Sequence, residues 1–361
     1  MTRIKDFWED FWNCFSRFSV PLSTLSILFL LISLTNFSVA PCFADSAVES
    51  LEVTTAADPT EAAQWKPTVV TGRRPKIGLA LGGGGTRGGA HIGVLKVLDE
   101  AGIKFDMVTG TSIGGVFCAY YCAGVKPADL VKPWEKGDVM KHFMTIPLWL
   151  RIGAAPILYI PRLLGAHPYD GLYKGAEWRK YLAKHLPAGI NNIEDLKLPF
   201  AAVSFNLVDG KPYMIRKGNL GKTMQATCAV PELRKPVEFD GQLLCDGGII
   251  CNLPVKQCRQ MGADFVVAVN IDESFHKADL EYFTHPTSVA ARLIRWGLYD
   301  LDRAQEQMAD FTIHPNTDGV DLISTKKRDA IDTVVAGEEA ARKCVDELKA
   351  KLNAYIAASS K

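Results

Sequence analysis

The chain has 361 residues, 48% of them hydrophobic, with 41 Lys and Arg against 40 Asp and Glu for a formal net charge of +1. That length accommodates one large domain or two modest ones, and that apolar share fills a sizeable core. The near-neutral balance carries no electrostatic footprint for nucleic acid, which speaks against polyanion binding.

Residues 21–40, PLSTLSILFLLISLTNFSVA, carry no charge and centre on the apolar run Ile27–Leu34. Arg17 precedes the run, and Cys42 and Ala44 take the small-residue places of a cleavage site before Asp45. Residues 1–44 therefore read as an export signal, with an uncleaved anchor as the rival, because about twenty apolar residues span a bilayer. A core helix is the third option. Two features weigh against a standard signal: Asp6, Glu9 and Asp10 cancel Arg3, Lys5 and Arg17, and Pro41 stands where a lipoprotein signal requires a small residue. The expected location is exported, periplasmic or membrane-associated. Residues 45–74 are polar, acidic first and basic at the end, as in a linker.

From Lys76 the pattern becomes strand, glycine loop, helix, strand, tight turn, helix. KIGLAL (76–81) is an apolar strand, and residues 88–102 form a helix that exits at Gly102. FDMVTG (105–110) is a second strand, followed by a buried helix ending at Gly124. Two adjacent strand-to-helix units imply an α/β fold with a parallel sheet. Further strands are expected at 198–207 and 211–218, around the turn Asp209–Gly210, and at 264–272. A closing amphipathic helix is expected from Val334 to Ala357, with Val335, Ala341, Val345, Leu348, Leu352 and Ile356 on one stripe. One catalytic domain over 75–357 fits this run better than two.

None of the nine cysteines has the paired CxxC spacing of a zinc site. Cys118 and Cys122 lie four apart on one helix face, and buried thiols are expected rather than a disulfide framework. No metal or organic cofactor is implied.

Gly83–Gly88 (GGGTRG) matches G-x-G-x-x-G after a strand and before a helix. A dinucleotide site would place an acid at the end of the next strand to hold the ribose. Here that strand runs into Thr109 and Gly110, and Asp106 lies at its start. No Gly-Lys-Ser/Thr follows, so a phosphate loop is excluded as well. GTSIG (110–114) instead fits a nucleophile elbow, in which Ser112 tops a sharp strand-to-helix turn and Gly110 and Gly114 leave room for it. The preceding glycine loop then lies beside Ser112. Bare amides at Gly83, Gly84 and Gly85 suit an oxyanion formed on attack of an ester. Arg87 serves either as an added positive charge or as an anchor for the loop.

A serine needs a proton acceptor. His276, His285 and His314 lie late in the chain but in no motif, and His91 reads as a packed helix residue. Asp246 stands out, following a short apolar run and opening the turn Gly247–Gly248. Alone it would be an ordinary Asp-Gly turn.

The ordered set GGGTRG, GTSIG and DGG (246–248) resembles the patatin-like phospholipase family, over about residues 75–357. AHIGVLKVL, TCAVPELRKPVEFDG and NLPV extend the resemblance. It implies a three-layer α/β/α fold with a mainly parallel central sheet, and a lipid acyl hydrolase with a Ser-Asp dyad. It implies Ser112 as nucleophile and Asp246 as base. Gly83, Gly84, Gly85, Arg87 and Gly88 fall in the oxyanion loop, Gly110 and Gly114 in the elbow, and Gly247 and Gly248 in the DGG motif. The implied partners are a phospholipid or lysophospholipid and a membrane surface. PELRKPV departs from the family pattern, and Arg234 and Lys235 are expected at the pocket mouth. Residues 143–165 are apolar with interfacial Trp149 and Tyr159, and read either as a cap over an acyl-chain pocket or as core packing. A nucleotide-binding oxidoreductase and a non-catalytic lipid-binding protein are the alternative functions.

Overall fold

The computed structural model describes residues 69–144, 164–285 and 288–360. The expected leader, most of the expected linker and residues 145–163 of the expected cap lie outside them.

The described strands form one eight-stranded sheet: β1 (Ile77–Leu81), β2 (Met107–Thr111), β3 (Phe200–Asn206), β4 (Lys211–Ile215), β5 (Val237–Phe239), β6 (Gln242–Asp246), β7 (Phe265–Val269) and β8 (Phe311–Ile313). Their order is β5-β6-β3-β2-β1-β7-β8, with β4 also on β3. The β1–β2, β2–β3, β1–β7 and β7–β8 pairs are parallel, and the pairs made by β4, β5 and β6 are antiparallel. The central sheet is thus mainly parallel, as expected.

β1 shows how the sequence divides between two faces. Ile77, Leu79 and Leu81 enter one apolar cluster with Ile92, Leu95, Phe117 and Leu348. Ala80 points the other way, into a smaller cluster with Met107, Leu253, Val266 and Ala268. Alternation along a strand sends successive side chains to opposite faces, and both faces here are covered. Helices α1 (Gly89–Glu100), α2 (Ile113–Cys122) and α9 (Lys327–Ser359) supply the larger cluster, and α7 (Val255–Gln260) the smaller. The remaining described helices are α3 (Pro127–Glu135), α4 (Asp138–Phe143), α5 (Ala176–Lys184), α6 (Leu220–Thr227) and α8 (Ser288–Glu306).

The chain order makes β1 the switch point. From β1 it steps one way to β2 and β3, then returns to add β7 and β8 on the other side. Crevices of open α/β sheets form at the carboxyl ends of strands at such a point. The loop after β1 occupies it.

The closing helix is longer than expected, and its buried stripe includes Ala341, Leu348 and Leu352 as expected but differs at its ends. Ala330, Val334, Gly337, Ala341, Leu348 and Leu352 are buried, whereas Val335 and Ile356 are exposed. The seam with α1 explains the difference. A Cβ on Gly337 would run into the Ala90 carbonyl, and one on Gly93 into the Val334 carbonyl. Two backbones this close need small residues where they cross, which selects the Val334–Gly337–Ala341 face. We expect Gly337→Val to force the helices apart and cost about 2–3 kcal/mol, lowering the melting temperature by several degrees in thermal denaturation.

Candidate active site

β3 uses one edge twice. Residues Val108–Thr111 of β2 pair with Phe200–Val203, and the same edge then pairs Ser204–Asn206 with β6 in the opposite direction. β4 takes the other edge over Ala202–Asn206. The last β2 pair is Thr111↔Val203, and the next position, Ser204, pairs with Asp246. Ser112 and Asp246 therefore meet by register, although 134 residues separate them, and Ser112 Oγ donates to Asp246 Oδ2 at 2.7 Å.

Ser112 adopts φ 52° and ψ −126°, a conformation that L-residues avoid and that elbow turns impose. Its neighbours make the turn possible. A Cβ on Gly110 would lie 2.6 Å from the Gly114 carbonyl carbon and oxygen, and one on Gly114 would lie 2.5 Å from the Gly82 oxygen and still nearer the Leu81 oxygen. The Ser112 amide donates to Thr227 Oγ1 at 2.9 Å, and that hydroxyl donates to the Val203 carbonyl at 2.6 Å. This peg fixes the elbow to β3.

Asp246 is buried, and desolvation pushes its pKa up to about 6 against the pull of its hydrogen bonds from Ser112 and the Gly248 amide. The Gly248 amide donates to Oδ1 at 2.8 Å, leaving Oδ2 for the serine. A Cβ on Gly247 would lie 2.7 Å from the Val203 carbonyl oxygen, so no larger residue fits behind the carboxylate.

The glycine loop is clamped at its first peptide. The Gly82 carbonyl accepts from His91 Nε2 at 2.7 Å, and the Gly83 amide donates to the Asn252 carbonyl at 3.1 Å. Gly83 consequently differs from the expectation of a free oxyanion donor. Its amide is engaged, and its lack of a side chain makes room for Asn252 Oδ1 and for Ser112 Cβ, 3.2 Å from a built Cβ. The amides of Gly84 and Gly85 take no acceptor among the described residues. The Leu322 carbonyl fills the space beside Gly85 and accepts from the Thr86 amide at 2.8 Å, so this loop has protein backbone where a dinucleotide loop holds pyrophosphate. Gly88 lets α1 approach α2, with a built Cβ 2.5 Å from Ile113 Cγ1.

Arg87 is placed as the anchor and not at the oxyanion. Nε donates to the Val320 carbonyl at 2.8 Å, and the guanidinium pairs with Glu273 at 3.0 Å and Asp272 at 3.6 Å. Its charge is met by carboxylates on the loop after β7. Arg234 likewise turns inward. It is 3% exposed, donates to the Phe143 carbonyl and lies 4.1 Å over the Phe143 ring. Lys235 is half-buried and donates to the Tyr169 carbonyl at 2.6 Å.

The histidines stand apart from Ser112. His276 pairs with Asp318 at 2.8 Å, His314 with Glu306 at 3.5 Å, and His285 is exposed with its nearest partner the Tyr282 carbonyl. Burial holds His91 down to about 4, so its imidazole is neutral, and because a carbonyl only accepts, Nε2 carries the proton. The described cysteines are all free thiols, and all but Cys344 are buried. Among the described residues no group of acidic, histidine or cysteine side chains has the arrangement of a metal site.

Sequence reasoning missed Thr227 and Asn252 as site residues, though both lie in stretches that carry the resemblance. It also missed Asp302, which no motif marks. Asp302 accepts from Asn252 Nδ2 at 3.0 Å and from the Leu253 amide at 3.1 Å. Burial and the neighbouring Asp272 push its pKa well above the usual carboxylate range, and its two oxygens fix the Asn252 turn. Beside the elbow, α2 borders an apolar cavity of about 30 Å³ lined by Ile113, Val116, Phe117, Trp134 and Tyr181.

With this geometry in view, the comparisons are specific. The family model "Patatin-like phospholipase" matches residues 79–259, half of the chain, and the protein belongs to that family. It is 33% identical over 200 residues to an uncharacterised NTE-family protein of Mycobacterium tuberculosis, covering 55% of this chain and 50% of that one. It is 33% identical over 195 residues to a lysophospholipase of Aspergillus fumigatus, covering 54% of this chain and 12% of that one. The chain spans half or less of the length of these relatives. Human GIVD cytosolic phospholipase A2, solved with methyl γ-linolenyl fluorophosphonate, aligns with a TM-score of 0.46 at 13% identity, covering 84% of this chain and 63% of that one.

The sign of the Asp246 shift gives a stability test. Its native pKa of about 6 exceeds the unfolded value of 3.8, so the ionised form costs stability above pH 6, and below pH 4 both states hold the proton. Asp246→Asn should stabilise the protein at pH 7.5 by up to about 3 kcal/mol, with the gain vanishing near pH 4, as read by denaturant unfolding at the two pH values.

Proposed function

We propose that the protein is a serine hydrolase of lipid acyl esters, acting on phospholipid or lysophospholipid through a Ser112–Asp246 dyad. The observation that carries this reading is the 2.7 Å hydrogen bond from Ser112 Oγ, held on a strained elbow, to a buried carboxylate. The presence of a lysophospholipase among the relatives supports the substrate class.

In this mechanism Oγ attacks the ester carbonyl as its proton passes to Asp246 Oδ2. Free aspartate, with a pKa near 4, is a poor base, and desolvation is what raises its affinity for the proton. The tetrahedral oxyanion takes hydrogen bonds from the unengaged amides of Gly84 and Gly85. Collapse expels the alcohol, which receives the proton from Asp246 and leaves an acyl group on Ser112. Water then attacks that ester, its proton passing to Asp246, and the fatty acid departs as Oγ regains a proton. No cofactor enters, and nucleic acid has no role. Residues 1–44 act as an export signal or retained anchor, 45–74 as a linker and 75–357 as the catalytic domain, bringing the enzyme to lipid outside the cytoplasm or at a membrane.

Ser112→Ala and Asp246→Asn should each lower hydrolysis of a soluble short-chain ester by at least about a thousandfold, with thermal unfolding showing both variants folded. A fluorophosphonate probe should label the wild type and not Ser112→Ala. Full activity in Asp246→Asn would remove the aspartate from the mechanism.

The working form has Asp246 ionised. Its kcat/KM should therefore be flat near neutrality and fall about tenfold per pH unit below about 6, measured on the same soluble ester.

A further inference from the structure

Helix α8 is built the wrong way round for a surface helix. The residues it buries fully are polar, Ser288, Asp302 and Gln305, with Leu298, Leu301 and Ala304 partly covered beside them, and its outward line is apolar. Val289 is 56% exposed, Leu293 66% and Trp296 52%, at the i, i+4, i+7 spacing of one helical face. Ile294 and Tyr299 flank that line and are also exposed, as are Leu280 and Phe283 in the turn before the helix. Surface helices ordinarily turn charged residues to water, and an apolar patch of this kind marks an interaction site.

Charge bears on the occupant. Between Val289 and Tyr299 the charged residues are Arg292 and Arg295, while the exposed acids Asp279, Glu281 and Asp300 stand beyond the two ends of that line. Arg292 lies 3.6 Å over the Phe275 ring and donates to the His276 carbonyl, and no carboxylate among the described residues neutralises it. Arg295 pairs with Glu273 and keeps half of its side chain exposed. An apolar line edged by arginines, with a tryptophan and a tyrosine, has the composition of a helix that lies in the headgroup region of an anionic bilayer. None of the described helices is long and apolar enough to cross a membrane, which fits a helix lying on one.

We propose that the N-terminal half of α8 is the face by which the enzyme docks on an anionic lipid bilayer. This rests on the reading of the protein as a lipid hydrolase and deepens it by naming the docking surface. The C-terminal half of the same helix carries Asp302, which holds the Asn252 turn and through it the Gly83 amide. Docking and site thus share one rigid element.

The test uses the full chain and vesicles of phosphatidylglycerol mixed with brominated phosphatidylcholine. Brominated lipid should quench part of the tryptophan emission, and Trp296→Phe should lose a measurable share of that quenching while still binding. The triple variant Val289→Ser, Leu293→Ser, Trp296→Ser should keep hydrolysis of the soluble short-chain ester within about twofold and lose about tenfold or more on vesicles. Equal quenching in wild type and Trp296→Phe overturns the proposal, as does failure of the wild type to bind the vesicles. A wild-type dimer in solution that the triple variant converts to monomer also overturns it, assigning the face to a second copy. Should the triple variant not fold, the Trp296→Phe comparison decides alone. Ser112→Ala separates the two readings: persistent hydrolysis in that variant sinks the dyad, while tryptophan quenching, which needs no turnover, still judges the docking face.

Discussion

The structure depends on a shared strand edge. β3 offers its first residues to β2 and its last to β6, so a strand ending in a serine turn and another ending in an aspartate meet head to head. Hydrogen-bond register sets this meeting, and a one-residue slip would turn every side chain of a strand to the other face. The bond between Ser112 and Asp246 follows from ladder geometry laid down elsewhere in the sheet.

Around that point the chain relies on main-chain groups. Gly110, Gly114 and Gly247 allow backbones to touch where any side chain would hold them apart. Val203 contributes its carbonyl to the Thr227 peg, Asn252 its carbonyl to Gly83, and Gly82 its carbonyl to His91. Such contacts are rigid because each partner belongs to a strand, a helix or a buried turn. Rigid amides are what an oxyanion requires, since donors that must reorient during reaction lose much of their electrostatic worth.

The sequence made the parallel β1–α1–β2–α2 unit plain, because apolar runs and glycine turns there obey simple periodicities. The serine turn and the aspartate were legible from their flanking glycines and from the order of three motifs. Other features needed coordinates. Arg87 looked like a candidate for the oxyanion because its carboxylate partners, Asp272 and Glu273, lie some 185 residues away and nothing local announces them. Gly83 looked like a donor because only tertiary structure brings the Asn252 carbonyl to it. The stripe on α9 was legible at Ala341, Leu348 and Leu352 but not at its ends, since hydropathy favours Val335 and Ile356 whereas the seam favours smallness at Gly337. Asp302 had no visible signal, for a buried acid in a helix reads as a surface charge until its partners are known.

The seam between α1 and α9 bears on how the molecule is made. Lys96 bonds Glu338 and Arg342 bonds Glu100, each across 242 residues of chain. A ribosome releases α1 well before α9, so the nascent chain carries an uncovered apolar helix until α9 emerges. Contacts of such long sequence separation close slowly. Biogenesis of this protein therefore has a prolonged interval in which the apolar face of α1 awaits the helix that will cover it.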